Sequence, residues 1–296
     1  MRSNGTKAAA VLAIAVAVIL GLLQPMLRDA ATRSTNSSRT QTAMANGNSL
    51  AEMNLACARD LPCSAHSGTN WEVLGQWAKY IASETERHWY RYHENPEQFN
   101  RSEGFFRMLM MSVVLAEDFN VKYDPDLRAF WSQTAPPDRF FSSADSVFLT
   151  GLLGPERKGT CSSLPVLYVA IGRRLGYPLY LVTTKSHLFV RWDGKGERFN
   201  VEATSHGLNT FDDDYYRKWP VPITAEEEAA EGYLKNLDSA GELAVFLSIR
   251  GMCLRENGRI KEATEAFSQA AHLAPNCRSF RVMREQLSYS LTSLDP

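Results

Sequence analysis

Residues 159–204 read GTCSSLPVLYVAIGRRLGYPLYLVTTKSHLFVRWDGKGERFNVEAT, and their pattern decides the fold. Apolar residues Leu164, Leu167, Ala170, Ile171 and Leu175 recur at helical spacing. Pro165 fits only a first helical turn, where amide protons have no partner inside the helix. That predicts a helix from about Ser162 to Leu175 with Cys161 at its N-terminus. Gly176-Tyr177-Pro178 stops it. Three strand-like runs follow: Leu179 to Thr183, His187 to Trp192 and Arg198 to Thr204. The last two flank Asp193-Gly194-Lys195-Gly196-Glu197, a hairpin turn signal.

This order brings chemistry together. A thiol at a helix N-terminus has its anion favoured by the dipole and free amides, and an imidazole nearby completes its activation. Cys161 and His187 are the candidates. With a two-residue Gly194-Lys195 turn, His187 lies opposite Glu202; with an Asp193-Gly194 turn it lies opposite Asn200. Both put an acceptor on the face of His187, about 5 Å away from Cβ to Cβ. Either residue makes a third member behind the imidazole, and Glu202 also adds charge, which favours it. His206, close to Glu202 in sequence, is a candidate substrate contact. Trp192 and Trp219 are candidate walls of an acyl pocket.

Outward from this stretch the chain reads as helical on both sides. Trp71 to about Phe99 has helical spacing, Ser102 opens a second apolar helix (FFRMLMMSVVLAEDF, 105–119), and residues 144–153 form another. The expected class is α+β, with helices around a small antiparallel sheet. From Ile223 onward the chain is helical to its end, with Thr224-x-x-Glu227 as a capping box.

Residues 159–182, SHLFVRW (186–192) and RFNVEAT (198–204) resemble the transglutaminase-like, papain-like cysteine superfamily. They look most like its bacterial branch with a G-x-C-x-S-L-P motif followed by helical repeats. The resemblance implies that Cys161 is the nucleophile, His187 the base and Glu202 the acid, in place of the family's usual Asp. It implies acyl transfer on a peptide or protein amide, by hydrolysis or transamidation, and no cofactor. The alternative is a non-catalytic, membrane-tethered interaction module on the same scaffold. Residues 244–275 resemble a tetratricopeptide repeat (TPR), with Leu247, Gly251, Leu254, Gly258, Ala263, Phe267, Ala270 and Pro275 in pattern. That resemblance implies a protein partner on these helices.

The N-terminal segment reads differently. Residues 8–27 (AAAVLAIAVAVILGLLQPML) carry no charge over a length that crosses a bilayer, so 1–28 reads as a signal anchor or signal peptide. Residues 29–65, rich in Ser, Thr, Asn and Ala, read as a flexible linker. Residues 66–222 then form the transglutaminase-like domain and 223–296 the TPR-like segment. The expected location of the soluble part is periplasmic or otherwise extracytoplasmic, with residues 8–27 contacting the membrane. Lys plus Arg is 32 and Asp plus Glu 33, a net charge of −1, which gives no pull toward nucleic acid. The five cysteines are an odd number. Pairing of the other four outside the cytoplasm would leave Cys161 over. Cys57, Cys63 and His66 lack a fourth ligand, so no metal site is expected.

Overall fold

The computed structural model of the chain describes residues 50–63, 72–128 and 140–292. The expected anchor, the first part of the linker, His66 and Trp71 lie outside the described residues. Among the described residues no helix is long and apolar enough to cross a membrane.

The described chain is α+β. Residues 50–57 form a helix, α1. α2 spans Glu72–Arg87, α3 Glu103–Val113, α4 Leu149–Leu153, α5 Leu164–Arg174, α6 Asp213–Lys218 and α7 Ala225–Glu231. The C-terminal helices are α8 (Ser239–Glu256), α9 (Ile260–Leu273) and α10 (Arg278–Thr292). Strands β1 (Lys122–Tyr123) and β2 (Lys158–Gly159) make a parallel pair. Strands β3 (Leu179–Thr184), β4 (His187–Gly194), β5 (Glu197–Val201) and β6 (Thr210–Phe211) form one antiparallel sheet in that order.

α5 is the centre of the molecule. Leu164, Val166, Leu167, Val169, Ala170 and Ile171 are at most 2 % exposed, because α5 packs between α2 on one side and β3 and β4 on the other. Its end follows the expected stop. Gly176 takes φ 75°, a left-handed conformation that costs glycine nothing, and the Tyr177 N–H returns to the Gly172 carbonyl.

Three expectations change. The linker reading fails over its last residues: Leu50, Ala51, Asn54 and Cys57 are buried, and the Asn54 Oδ1 accepts from the Leu149 N–H at 2.9 Å, capping α4. Residues 144–153 do not make one helix. Phe148 is extended and fully buried, so the helix breaks there and restarts as α4. The hairpin turns at Lys195-Gly196, with φ 57° and 80°, and Gly194 pairs with Glu197. A two-residue turn of this twist needs positive φ at both positions, and the expected turns did not place Gly196 within them.

The C-terminal helices share the main apolar core, to which Phe246, Cys253, Leu254, Phe267 and Leu287 contribute. α8 and α9 are joined by a short turn at residues 257–259 and fold back on each other, with Gly251 facing the Phe267 ring. A buried ion pair ties α8 to α5. The Arg173 guanidinium holds the Glu242 carboxylate with both nitrogens, at 3.1 and 2.6 Å. The capping box at Thr224 and Glu227 forms as expected.

Candidate active site

Cys161 lies in the turn that leads into α5, two residues before its N-cap Ser163. The helix therefore starts later than Ser162. The turn is fixed by reciprocal caps. The Ser163 Oγ accepts from the Thr160 N–H at 3.0 Å, and the Thr160 Oγ1 accepts from the Ser162 N–H at 3.2 Å. The thiol is 4 % exposed. Burial first, and then the charge of Glu202, push the Cys161 thiol up to about 12, while a Ser162 hydroxyl hydrogen bond works the other way. At neutral pH it is a thiol.

His187 opens β4 and Glu202 follows the end of β5, one residue past the strand that was expected to carry it. The ladder pairs Val190 with Val201 and Arg191 with Asn200, so neither expected register holds. The expected face does hold, because the true register differs from both by an even step and side chains alternate with period two. The His187 Nε2 and the Glu202 Oε2 are 2.8 Å apart. Asn200 does not reach the imidazole. Its Oδ1 accepts from the Arg191 Nε–H at 2.7 Å and its amide donates to the Phe211 carbonyl at 3.0 Å.

Glu202 is held by more than His187. Its Oε1 accepts from the Thr204 N–H at 3.0 Å and the Thr204 hydroxyl at 2.5 Å, and its Oε2 accepts from the Tyr216 hydroxyl at 3.2 Å. Burial alone would raise this carboxyl. The bond and charge of His187, with the two Thr204 donors, outweigh burial and hold it below the ordinary range. An ionised carboxylate only accepts, so Nε2 must carry a proton, and the neutral ring keeps its lone pair at Nδ1. That Nδ1 is buried and has no hydrogen-bond partner among the described residues. Trp219 meets the ring edge-on at 4.7 Å, and Tyr216 lies nearly parallel to it at 6.2 Å.

Cys161 and His187 line one cavity of about 380 Å³. Residues 138–242 match the family model of the transglutaminase-like superfamily. The match covers less than half of the chain and contains Cys161, His187 and Glu202. No curated protein and no solved structure matches the chain.

Trp192 and His206 are placed apart from this cavity. Trp192 is buried on the opposite face of the β3–β6 sheet from His187, stacked on Phe199 at 5.9 Å. The His206 side chain is 82 % exposed and stands 3.8 Å from Glu117, at the mouth of a second cavity of about 620 Å³. Asp212 caps α6, Asp213 pairs with the buried Arg191 at 2.5 Å, and Asp214 pairs with Arg217. Cys57, Cys161, Cys253 and Cys277 are all free thiols, so Cys161 is not singled out by pairing. Cys277 lines the same cavity as Cys161.

Sequence reasoning missed Thr204 and Tyr216 as partners of Glu202. Thr204 stands two residues from Glu202, a spacing at which hydroxyls commonly bond a neighbouring carboxylate or backbone group. For Tyr216 no local signal exists, since α6 brings it back across the sheet.

Proposed function

We propose that the protein transfers the acyl group of a peptide or protein amide through a thioester on Cys161, to water or to an amine. One arrangement supports this reading. His187 commits Nε2 to Glu202 and keeps Nδ1 unpartnered, and His187 and Cys161 line the same cavity. A thiol held near 12 does not ionise unaided at neutral pH, so a base must take its proton as the sulfur attacks. His187 Nδ1 takes it while the S–C bond forms, and Glu202 stabilises the imidazolium. The backbone N–H of Cys161 and the Ser162 hydroxyl donate to the developing oxyanion. As the C–N bond breaks, His187 returns its proton to the leaving amine. Water or a second amine, deprotonated by His187, then attacks the thioester and restores the thiol.

The test is alkylation by iodoacetamide at pH 7, read by peptide mass spectrometry. Cys253 is an internal control, because it is fully buried and burial also raises it to about 12. Cys161 labelled well ahead of Cys253 supports the reading. Equal labelling refutes it.

A second reading, a non-catalytic interaction module on TPR-like helices, draws on the near-closure of the site, with His187 only 6 % exposed. The packing of Gly251 on Phe267 suits the repeat pattern, and α10 presents Tyr289 at 77 % exposure as a contact for a partner. That reading expects captured partners to survive Cys161→Ala and to be lost with Tyr289→Ser. We also propose that residues 8–27 anchor or export the chain and place the remainder outside the cytoplasm. Carbonate extraction of membranes, with and without residues 1–28, tests this.

A further inference from the structure

The cavity at Cys161 is completed by residues from far along the chain. α8 turns one face toward it, with Gly241, Val245, Ser248, Ile249 and Met252 at helical spacing. The connection between α9 and α10 adds Cys277, the first turn of α10 adds Ser279 and Phe280, and the end of α7 adds Glu231. The wall facing Cys161 and His187 is therefore built by the C-terminal helices, and its volume of about 380 Å³ falls in the size class of small-ligand clefts.

The charge on this wall is one-sided. Among the described residues, Glu231 is the one carboxylate side chain on the lining, and no lysine or arginine stands on it. Its neighbours on α7 are paired, Glu227 with Lys185 at 2.6 Å and Glu228 with Arg217 at 2.8 Å. Glu231 forms no ion pair with a lysine or arginine among the described residues. Its carboxylate accepts instead from the Ser279 N–H, at 3.0 and 3.1 Å, and from the Cys277 thiol at 3.1 Å. An anion on an apolar wall without a counter-cation favours a positively charged ligand group and disfavours a negative one.

We propose that the acyl donor is a peptide segment that lays an apolar side chain against Val245, Ile249 and Met252 and a basic group against Glu231. This rests on the acyl-transfer reading above and adds its substrate class. The apolar face supplies non-directional affinity, Met252 adapts to side-chain shape, and Glu231 selects the charge.

Two chloromethyl ketones of equal size test it, one acetyl-leucyl-lysyl and one acetyl-leucyl-glutamyl. Each alkylates a cysteine by displacement of chloride, forming a thioether. Their second-order rates on Cys161 are read by mass spectrometry and divided by the iodoacetamide rate of the same variant. The lysyl probe is expected to react roughly three- to tenfold faster than the glutamyl probe in the native chain. Glu231→Gln, which keeps an acceptor for Ser279, brings the ratio close to one. Ser248→Lys, on the α8 face, reverses it without touching the Glu231 bonds. A ratio unmoved by both variants, while iodoacetamide still labels Cys161 ahead of Cys253, overturns the substrate class and leaves acyl transfer standing. Cys161 labelled no faster than Cys253 overturns the acyl-transfer reading itself.

Discussion

Replacing Glu202 by Gln tests the proposed base most directly. Four donors converge on this carboxylate: the His187 Nε2–H, the Tyr216 hydroxyl, and the N–H and hydroxyl of Thr204. An amide offers one oxygen and one NH2 group. The Thr204 N–H cannot reverse its role, so the amide oxygen must take the Oε1 place, and the NH2 then faces Nε2 at 2.8 Å. Nε2 must present its lone pair there, which moves the ring proton to Nδ1 and removes the base. We expect Cys161 alkylation at pH 7.5 to fall by about 10²–10⁴, the range general-base catalysis supplies. Stability should also fall. Each hydrogen bond to an ionised group is worth about 1 kcal/mol more than a neutral one; the two Thr204 donors keep an oxygen acceptor, while the Tyr216 hydroxyl, like Nε2, must turn to accept from the NH2 group. The smaller cost of burying an amide offsets part of this, leaving a net loss of roughly 1–3 kcal/mol. The pH dependence has a definite sign. A carboxyl held below its ordinary 4.5 stabilises the fold above that value and loses the contribution as pH falls through its lower folded value. The difference between native chain and variant in urea unfolding should therefore shrink below pH 4.5. Alkylation of the variant within threefold of the native rate would refute the assignment of Nδ1 as base. A stability difference that stays constant down to pH 3 would refute the ionised Glu202.

Three further outcomes are expected. Arg173→Met leaves the Glu242 carboxylate, 1 % exposed, without its cation, and should cost about 3–5 kcal/mol in urea unfolding, most of it recovered in the double variant with Glu242→Leu. Gly251→Ala brings a Cβ within 2.6 Å of the Phe267 ring, and the overpacking of about 1–3 kcal/mol should outweigh the helix-propensity gain of about 1, lowering Tm. His206→Ala should leave both Cys161 alkylation and Tm unchanged, since its side chain is 82 % exposed and stands apart from the cavity of Cys161.

What was legible in the sequence was local. The α5 start at Pro165, its stop at Gly176, the cap at Ser102 and the capping box at Thr224 depend on contacts within a few residues, and each takes the expected kind. The pairing of His187 with Glu202 was legible for a related reason. Period-two alternation keeps Glu202 on the face of His187 whatever even-numbered shift the turn makes, so the face survived an error in the turn. The turn itself was misread because the segment holds two glycines, and only the fold shows which one takes the positive φ beside Lys195.

The rest was illegible because it is tertiary. Tyr216 reaches Glu202 only after the chain crosses the sheet, and residues 50–57 look like linker until Asn54 finds the Leu149 N–H. The cavity is the strongest case. In a free repeat array, α8 would show the face bearing Val245, Ile249 and Met252 to a neighbouring repeat or a partner. Here the bridge from Arg173 to Glu242 and the shared core hold that face over Cys161 and His187. The same residues that read as an interaction surface therefore form the wall of the proposed active site. Binding to the helices and access to the thiol then become one event, because a ligand seated on α8 already occupies the space in front of Cys161.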